Sequence, residues 1–313
     1  MVNPNGYRNT LFTITLMPMV DGSAVHWFGE SAIGSLLIER EEYRTLRDEV
    51  IQGWNHQPRQ HTLVIGTAGI GKTMFLYYLM SYLRHRWEVD HTSWMSEAEN
   101  ASSPYELLIV YDMFEYGKGK SKQGKRIGYQ FRVDVNGNAT VTVSSGRGDL
   151  QASSHIYYLC DNVTPKLVNN QTLLVTSPNV DIYNPFCEKR TGGKVIIRHM
   201  GLISYEVMES MRPILFPHMT SDELRQRYGV VGGVLRPIQL NHTKEELLQR
   251  LKRKASQSTA EMVMSGMGGY QSMPEVLDAL LHFIVDEKDD RQVTLDFPSQ
   301  SVSSLADIAS RLH

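Results

Sequence analysis

Five strand-forming residues, His61–Ile65 (HTLVI), run straight into Gly66-Thr67-Ala68-Gly69-Ile70-Gly71-Lys72-Thr73, and a helical pattern starts where that octet ends. A short apolar strand, a glycine-rich turn and a helix in immediate succession point to a parallel α/β sheet, whose strands are covered on both faces. The helix is predicted from Thr73 to about Arg86, with Phe75, Leu76, Leu79, Met80 and Leu83 on one stripe. The tyrosine-rich run Phe75–Tyr82 therefore reads as helix packing rather than as a stacking platform for bases.

The octet satisfies G-x-x-x-x-G-K-[ST] in full. Its glycines allow a positive φ and bring successive N–H groups close to phosphate oxygens. The helix that follows aims its positive end at the same anion. Lys72 is expected to reach the β and γ phosphates of a nucleoside triphosphate, and the Thr73 hydroxyl to ligate Mg²⁺. The bland alternative is a glycine turn with a surface lysine. Background frequencies give the pattern in roughly one chain in a hundred of this length, and the flanking strand and helix make coincidence rarer still.

A P-loop needs a second metal anchor, an aspartate at the end of a neighbouring buried strand. Leu107–Asp112 (LLIVYD) and Ile156–Asp161 (IYYLCD) each offer one. Asp161 is the preferred metal acid, because a polar turn leads quickly from it into a third strand, Thr172–Thr176, and on to Asn179 (TLLVTSPN). Asp112 is the second candidate, and a strand ending in a solvated acid is the commonplace explanation for either. The residue after Asp161 is Asn162, which cannot act as a base. Hydrolysis is then expected to be slow or to borrow a carboxylate such as Glu115.

Elsewhere, Glu39–Trp54 looks helical, with Tyr43, Leu46, Val50 and Ile51 at helical spacing. Residues 87–104 are polar and suggest no element. Tyr129–Val135 and Ala139–Val143 alternate around Asn136-Gly137-Asn138, a hairpin signal. Lys194–Ile197 reads as a further strand, and helices are predicted at about 203–215, 220–228, 243–265 and 274–286. This divides the chain into a leader (1–36), a core (37–200, with a hairpin insertion at about 117–145) and a helical lid with a C-terminal segment (201–313). Leu11–Val20 loosely imitates a signal peptide, but Pro18 and two threonines interrupt it, and a strand or packing arm is expected.

Composition narrows the partners. No apolar run reaches the ~18 residues of a membrane helix, and two cysteines, Cys160 and Cys187, fit a reducing, intracellular compartment. With a net charge of −2, a nucleic-acid role would need a local patch. Lys118, Lys120, Lys122, Lys125 and Arg126 could supply one by tracking a phosphate backbone, although solvated loops of this composition are commoner. Gln249–Lys254 (QRLKRK) could serve nuclear import, but the exposed face of a helix is the simpler account. The 11 histidines show no zinc spacing, and no G-x-S-x-G elbow surrounds Ser177.

Five segments together resemble the P-loop NTPase module shared by Crinkler effectors of oomycetes and fungi and the retrotransposon hot spot (RHS) proteins of trypanosomes. Ile38–Tyr43 (IEREEY) is similar to the charged-aromatic helix that precedes the loop in that group. Gly66–Thr73 resembles its GTPGIGKS-type loop, with Ala68 where proline is frequent. Tyr158–Pro165 (YLCDNVTP) and Leu173–Tyr183 (LLVTSPNVDIY) resemble its strand-Asp-turn-Pro and VTSPN segments, and Tyr228–Ile238 (YGVVGGVLRPI) its GG-x-x-R segment. The resemblance spans residues 38–238. It implies an ASCE-type or STAND-like NTPase in which Asp161 is the metal acid, Ser177 and Asn179 sit near the γ-phosphate and Arg236 approaches from the lid. It also raises a nuclear setting, including a host nucleus, beside the cytoplasm. The LFLAK-type header of Crinkler effectors is not visible in Met1–Ser35, so delivery is not carried over; nor is DNA cleavage, which many members place in a further nuclease-like C-terminal domain.

The expected fold is therefore α/β, a mainly parallel P-loop sheet with an inserted hairpin and a C-terminal helical lid. The expected function is an ATP-binding, ATP-hydrolysing switch using Lys72, Thr73, Asp161, Ser177, Asn179 and Arg236, with Mg²⁺ as cofactor and oligomerisation left open. Arg236 could instead make a structural salt bridge, and Arg198 and Arg212 are weaker candidates for contacts in trans. A non-hydrolysing nucleotide-dependent interaction module and a small-molecule kinase remain as alternatives.

Overall fold

Short runs that are apolar throughout need cover on both sides, and they form the centre of the sheet. His61–Ile65 (β3) is buried at every position, and Gln171–Thr176 (β8) at all but its first. The computed structural model describes residues 12–16, 36–56, 60–97, 107–115, 125–134, 139–144, 156–166, 170–188, 195–240, 242–255, 282–285 and 293–296. Around β3 and β8 stand Leu107–Glu115 (β4), Lys125–Val133 (β5), Ala139–Ser144 (β6), Ile156–Asp161 (β7) and Val195–His199 (β9). They form one seven-stranded sheet in the order β6-β5-β4-β7-β8-β3-β9. Every pairing from β4 to β9 is parallel, and β5 and β6 extend the edge as an antiparallel hairpin.

Alternation along each strand sorts side chains to two faces. Val64, Leu159, Leu173 and Val175 join a core with two helices, Glu41–His56 (α1) and Lys72–Glu97 (α2). Leu63, Ile65, Tyr158, Cys160 and Leu174 pack on the other face with Tyr183 and Phe186 of Val180–Glu188 (α3). Tyr205–Leu215 (α4), Ser221–Val231 (α5), Leu235–Gln239 (α6) and Lys244–Ala255 (α7) share a separate apolar core, including Met208, Met211, Leu224, Ile238 and Leu251. Gly233 approaches Ile203 so closely that a Cβ would lie 2.3 Å from its carbonyl oxygen, which accounts for glycine there.

Several boundaries depart from the sequence reading. Leu36–Arg40 is a strand (β2), so α1 starts at Glu41 rather than Glu39; its antiparallel partner Phe12–Leu16 (β1) is a strand within Leu11–Val20, as expected there. The helix after the glycine loop continues eleven residues past Arg86, to Glu97. Arg84–Glu88 and Arg86–Asp90 pairs at i,i+4 support that polar continuation. A helix that the sequence reading did not assign, α3, starts at Val180 with Asp181 in its first turn. The helix expected at 274–286 is contradicted at its end. His282–Val285 (β10) pairs antiparallel with Val293–Asp296 (β11), as suits a run of β-branched and aromatic residues. Residues 256–281, the turn at 136–138 and Lys118, Lys120 and Lys122 lie outside the described residues. Among those described, no helix is long and apolar enough to cross a membrane.

Candidate functional site

The turn between β3 and α2 is built by glycine. Gly69 and Gly71 take φ of +85° and +107°, values that L side chains rarely adopt. The Lys72 side chain is buried, and its ammonium donates to the carbonyls of Gly66 and Thr67 at 2.7 and 2.8 Å, closing the turn around itself. At the start of α2 the Thr73 hydroxyl donates to Asp161 Oδ2 at 2.7 Å, across 88 residues of sequence. Strand β8 lies between the strand that carries the loop and the strand that carries this acid.

Asp161 ends β7 on the α2 face, where the Tyr111 hydroxyl also donates to it at 3.2 Å. Burial pushes its carboxyl above the ordinary range. The Thr73 hydroxyl, Lys72, Tyr111 and Arg236 pull only partly back. Asp112, the second candidate, pairs in register with Cys160 and so points to the opposite face. There it is buried, ion-paired to Arg126 and bonded by the Tyr158 hydroxyl at 2.6 Å. The geometry brings Asp161 to the loop and turns Asp112 away. Arg126, expected in a basic loop, is instead a strand residue that also donates to Thr164 O at 3.2 Å.

One cleft of about 870 Å³ gathers most of the expected residues. Ala68 to Thr73, Asp161, Ser177, Asn179 and Arg236 all line it. Gly66 and Thr67 lie beneath, buried, with Gly66 N–H bonded to Thr176 O at 3.3 Å. Asn179 also caps α3, its side-chain oxygen accepting from Asp181 N at 3.1 Å. Arg236 is exposed, and its backbone N–H donates to Gly69 O at 3.2 Å, so the α4–α7 block meets the loop directly. Asn162 adopts a left-handed φ of 52° and accepts from the Thr176 hydroxyl at 3.0 Å, pinning the end of β7 to β8. The Glu115 side chain lies outside the described residues. Arg198 is engaged by Glu49, and Arg212 by Glu209 and the Met219 carbonyl, all within the chain.

Sequence reasoning missed the wall opposite the sheet. Arg40 and Tyr43 line the cleft beside the loop, and Ile38, Ile203, Met211, Leu215 and Leu235 make one part of it apolar. The IEREEY segment was visible, but nothing in it announced contacts to backbone carbonyls 28 and 30 residues away. Lys254, at the end of α7, also reaches the cleft.

A hydroxyl and a carboxylate in contact fit Mg²⁺, which takes one or two protein ligands and completes its shell with phosphate oxygens and water. Among the described residues no three His, Cys, Asp or Glu side chains converge as a metal-holding group. The donor set thus suits a metal that arrives with a polyphosphate. No protein-family model matches the chain, and no curated protein shows significant similarity to it.

Proposed function

We propose that the chain is a P-loop NTPase of ASCE or STAND-like type that binds Mg·ATP and acts as a nucleotide-driven switch. The observation that carries this reading is the 2.7 Å contact between Thr73 and Asp161, which joins the loop's last residue to an acid one strand beyond its neighbour. The G-x-x-x-x-G-K-T spacing and the segments that resemble the Crinkler and RHS module add to it. In this reading the loop amides and the N-terminus of α2 hold the β and γ phosphates. Lys72 exchanges its bonds to Gly66 O and Thr67 O for phosphate oxygens. Thr73 and Asp161 hold Mg²⁺, which shares the charge of the phosphates. Ser177 and Asn179 stand at the end of β8 where a γ-phosphate would be sensed. Arg236 approaches from the α4–α7 block, a lid resting on Gly69. The apolar part of the cleft suits a nucleobase.

Lys72→Ala is expected to abolish Mg·ATP binding while the fold, read by circular dichroism, stays intact. Nucleotide affinity equal to wild type in that variant would refute the assignment. A second reading, a nucleotide-dependent interaction module that does not hydrolyse, is favoured by one observation. Asn162 stands where a glutamate would activate water, and its side chain is tied to Thr176. Phosphate release well above that of Lys72→Ala would count against this second reading.

A further inference from the structure

The junction of β2 and α1 holds the glycine loop from behind. Arg40, only 5% exposed, donates from Nη2 to Ile70 O at 3.1 Å and lies 3.6 Å from Met200 Sδ. Its guanidinium sits 4.3 Å from the centre of the Tyr43 ring, and the Tyr43 hydroxyl donates to Gly71 O at 2.7 Å. Two consecutive loop carbonyls are therefore fixed from one side. A peptide unit is planar and trans, so its N–H points opposite to its C=O. Holding Ile70 O and Gly71 O aims the amides of Gly71 and Lys72 the other way. These are amides that an anion in the cleft would use.

The same cluster reaches the start of the lid. Arg40 pairs with Glu42 Oε2 at 3.3 Å, and Glu42 Oε1 accepts from Gly201 N at 2.7 Å. Gly201 follows Met200, whose N–H bonds to Ile65 O at the base of the loop. One carboxylate thus links the guanidinium behind the loop to the connector that leads into α4. Arg40 Nε is buried with no hydrogen-bond partner, so the pair is not a fully satisfied structural network.

We propose that Arg40 and Glu42 are positioning residues, an ion pair between a buried guanidinium and a partly exposed carboxylate that orients the loop amides and ties the loop to the lid connector. The loop's grip on an anion and the seating of the lid then strengthen or weaken together. What the loop grips rests on the nucleotide reading above; the tie itself does not.

Amide hydrogen exchange on the full chain, with and without Mg·ATP, tests both parts. Nη2 alone meets both Ile70 O and Glu42, and in Arg40→Lys the shorter side chain places its ammonium about one bond short of that position and loses the planar group against Tyr43. Without ligand, exchange is expected to rise about tenfold in residues 66–73 and also in 200–203, and the Kd for Mg·ATP to weaken by a similar factor. Glu42→Gln keeps an acceptor for Gly201 but removes the negative charge that pairs with Arg40, and provides the second variant if Arg40→Lys does not fold. A merely structural pair would lower the unfolding temperature and speed exchange near residue 40, leaving 66–73 and 200–203 at wild-type rates; that result overturns the proposal. Faster loop exchange with unchanged nucleotide affinity overturns it as well. If the wild type binds no Mg·ATP, the nucleotide reading falls, and the ligand-free exchange still decides whether the tie exists.

Discussion

Asp161 and Asp112 lie on adjacent strands, one register step apart, and the sheet gives them opposite surroundings. Asp112 faces α3, buried, with its charge met by Arg126 and one oxygen bonded by Tyr158. Asp161 faces α2, and its hydrogen-bond donors are two neutral hydroxyls, Thr73 and Tyr111. Lys72 and Arg236 act on it only from a distance. A carboxylate kept for structure has its charge answered at contact distance. Asp161, which the nucleotide reading proposed above assigns to a metal, carries its charge at a cost to the resting fold, since burial raises its pKa.

The strongest way to break this comparison is to neutralise each acid in turn. Asp161→Asn is expected to weaken Mg²⁺-dependent ATP binding about a hundredfold, with no loss of fold stability. Asp112→Asn is expected to do the reverse. It leaves Arg126 without its partner and costs about 2 kcal/mol, at the low end for a buried pair because the Arg126 side chain is 32% exposed. Calorimetric titration of nucleotide beside urea unfolding of both variants separates the two outcomes. Equal losses of stability would erase the distinction between the sites.

A smaller effect sharpens it through pH. Burial raises the folded-state pKa of Asp161 above its ordinary 3.8. The folded chain therefore holds that proton more tightly than the unfolded chain does, and stability is lost as pH rises through the folded value. At neutral pH the ionised carboxylate is a net cost to the nucleotide-free protein. Asp161→Asn removes it and is expected to be more stable than wild type by on the order of 1 kcal/mol at pH 7. The gain should vanish below about pH 3, where the wild-type carboxyl is protonated in both states. A constant difference between pH 3 and pH 7, measured by urea unfolding, would contradict the assignment of that cost to the charge.

How much of this was legible depended on whether the signal was contiguous. The loop, its strand and the strands ending near Asp161 and Thr176 are runs of neighbours in sequence, and parallel strands covered on both faces read as unbroken apolar stretches. The order of strands was not legible, and it decides which acid meets Thr73. Parity along β4 and β7 separates Asp112 from Asp161, but only once the pairing register is known. Arg126 looked like a loop cation because lysines precede it; the carboxylate that engages it comes from another strand. Arg40 and Tyr43 act on backbone carbonyls, which leave no mark in the side-chain pattern. Polar helix continuation past Arg86 was hidden because its support is charge pairing rather than apolar periodicity.

The finest comparison removes one hydroxyl from each side. Tyr158 donates to Asp112, accepts from Arg126 at 2.9 Å and from Lys166 N at 3.3 Å, so Tyr158→Phe leaves three groups short of a partner on the buried face. The expected cost is about 1.5 kcal/mol of fold stability with nucleotide affinity unchanged. Tyr111→Phe removes a longer bond to an acid that Thr73 still serves, and is expected to cost below about 0.5 kcal/mol. Its effect should fall instead on Asp161. Without a donor that favours the charged form, the carboxyl pKa rises further, and Mg·ATP binding should weaken toward low pH sooner than in wild type. If both variants lose the same stability and neither moves the pH dependence of binding, the two hydroxyls are equivalent packing groups, and the asymmetry between the acids lies elsewhere than in their hydrogen bonds.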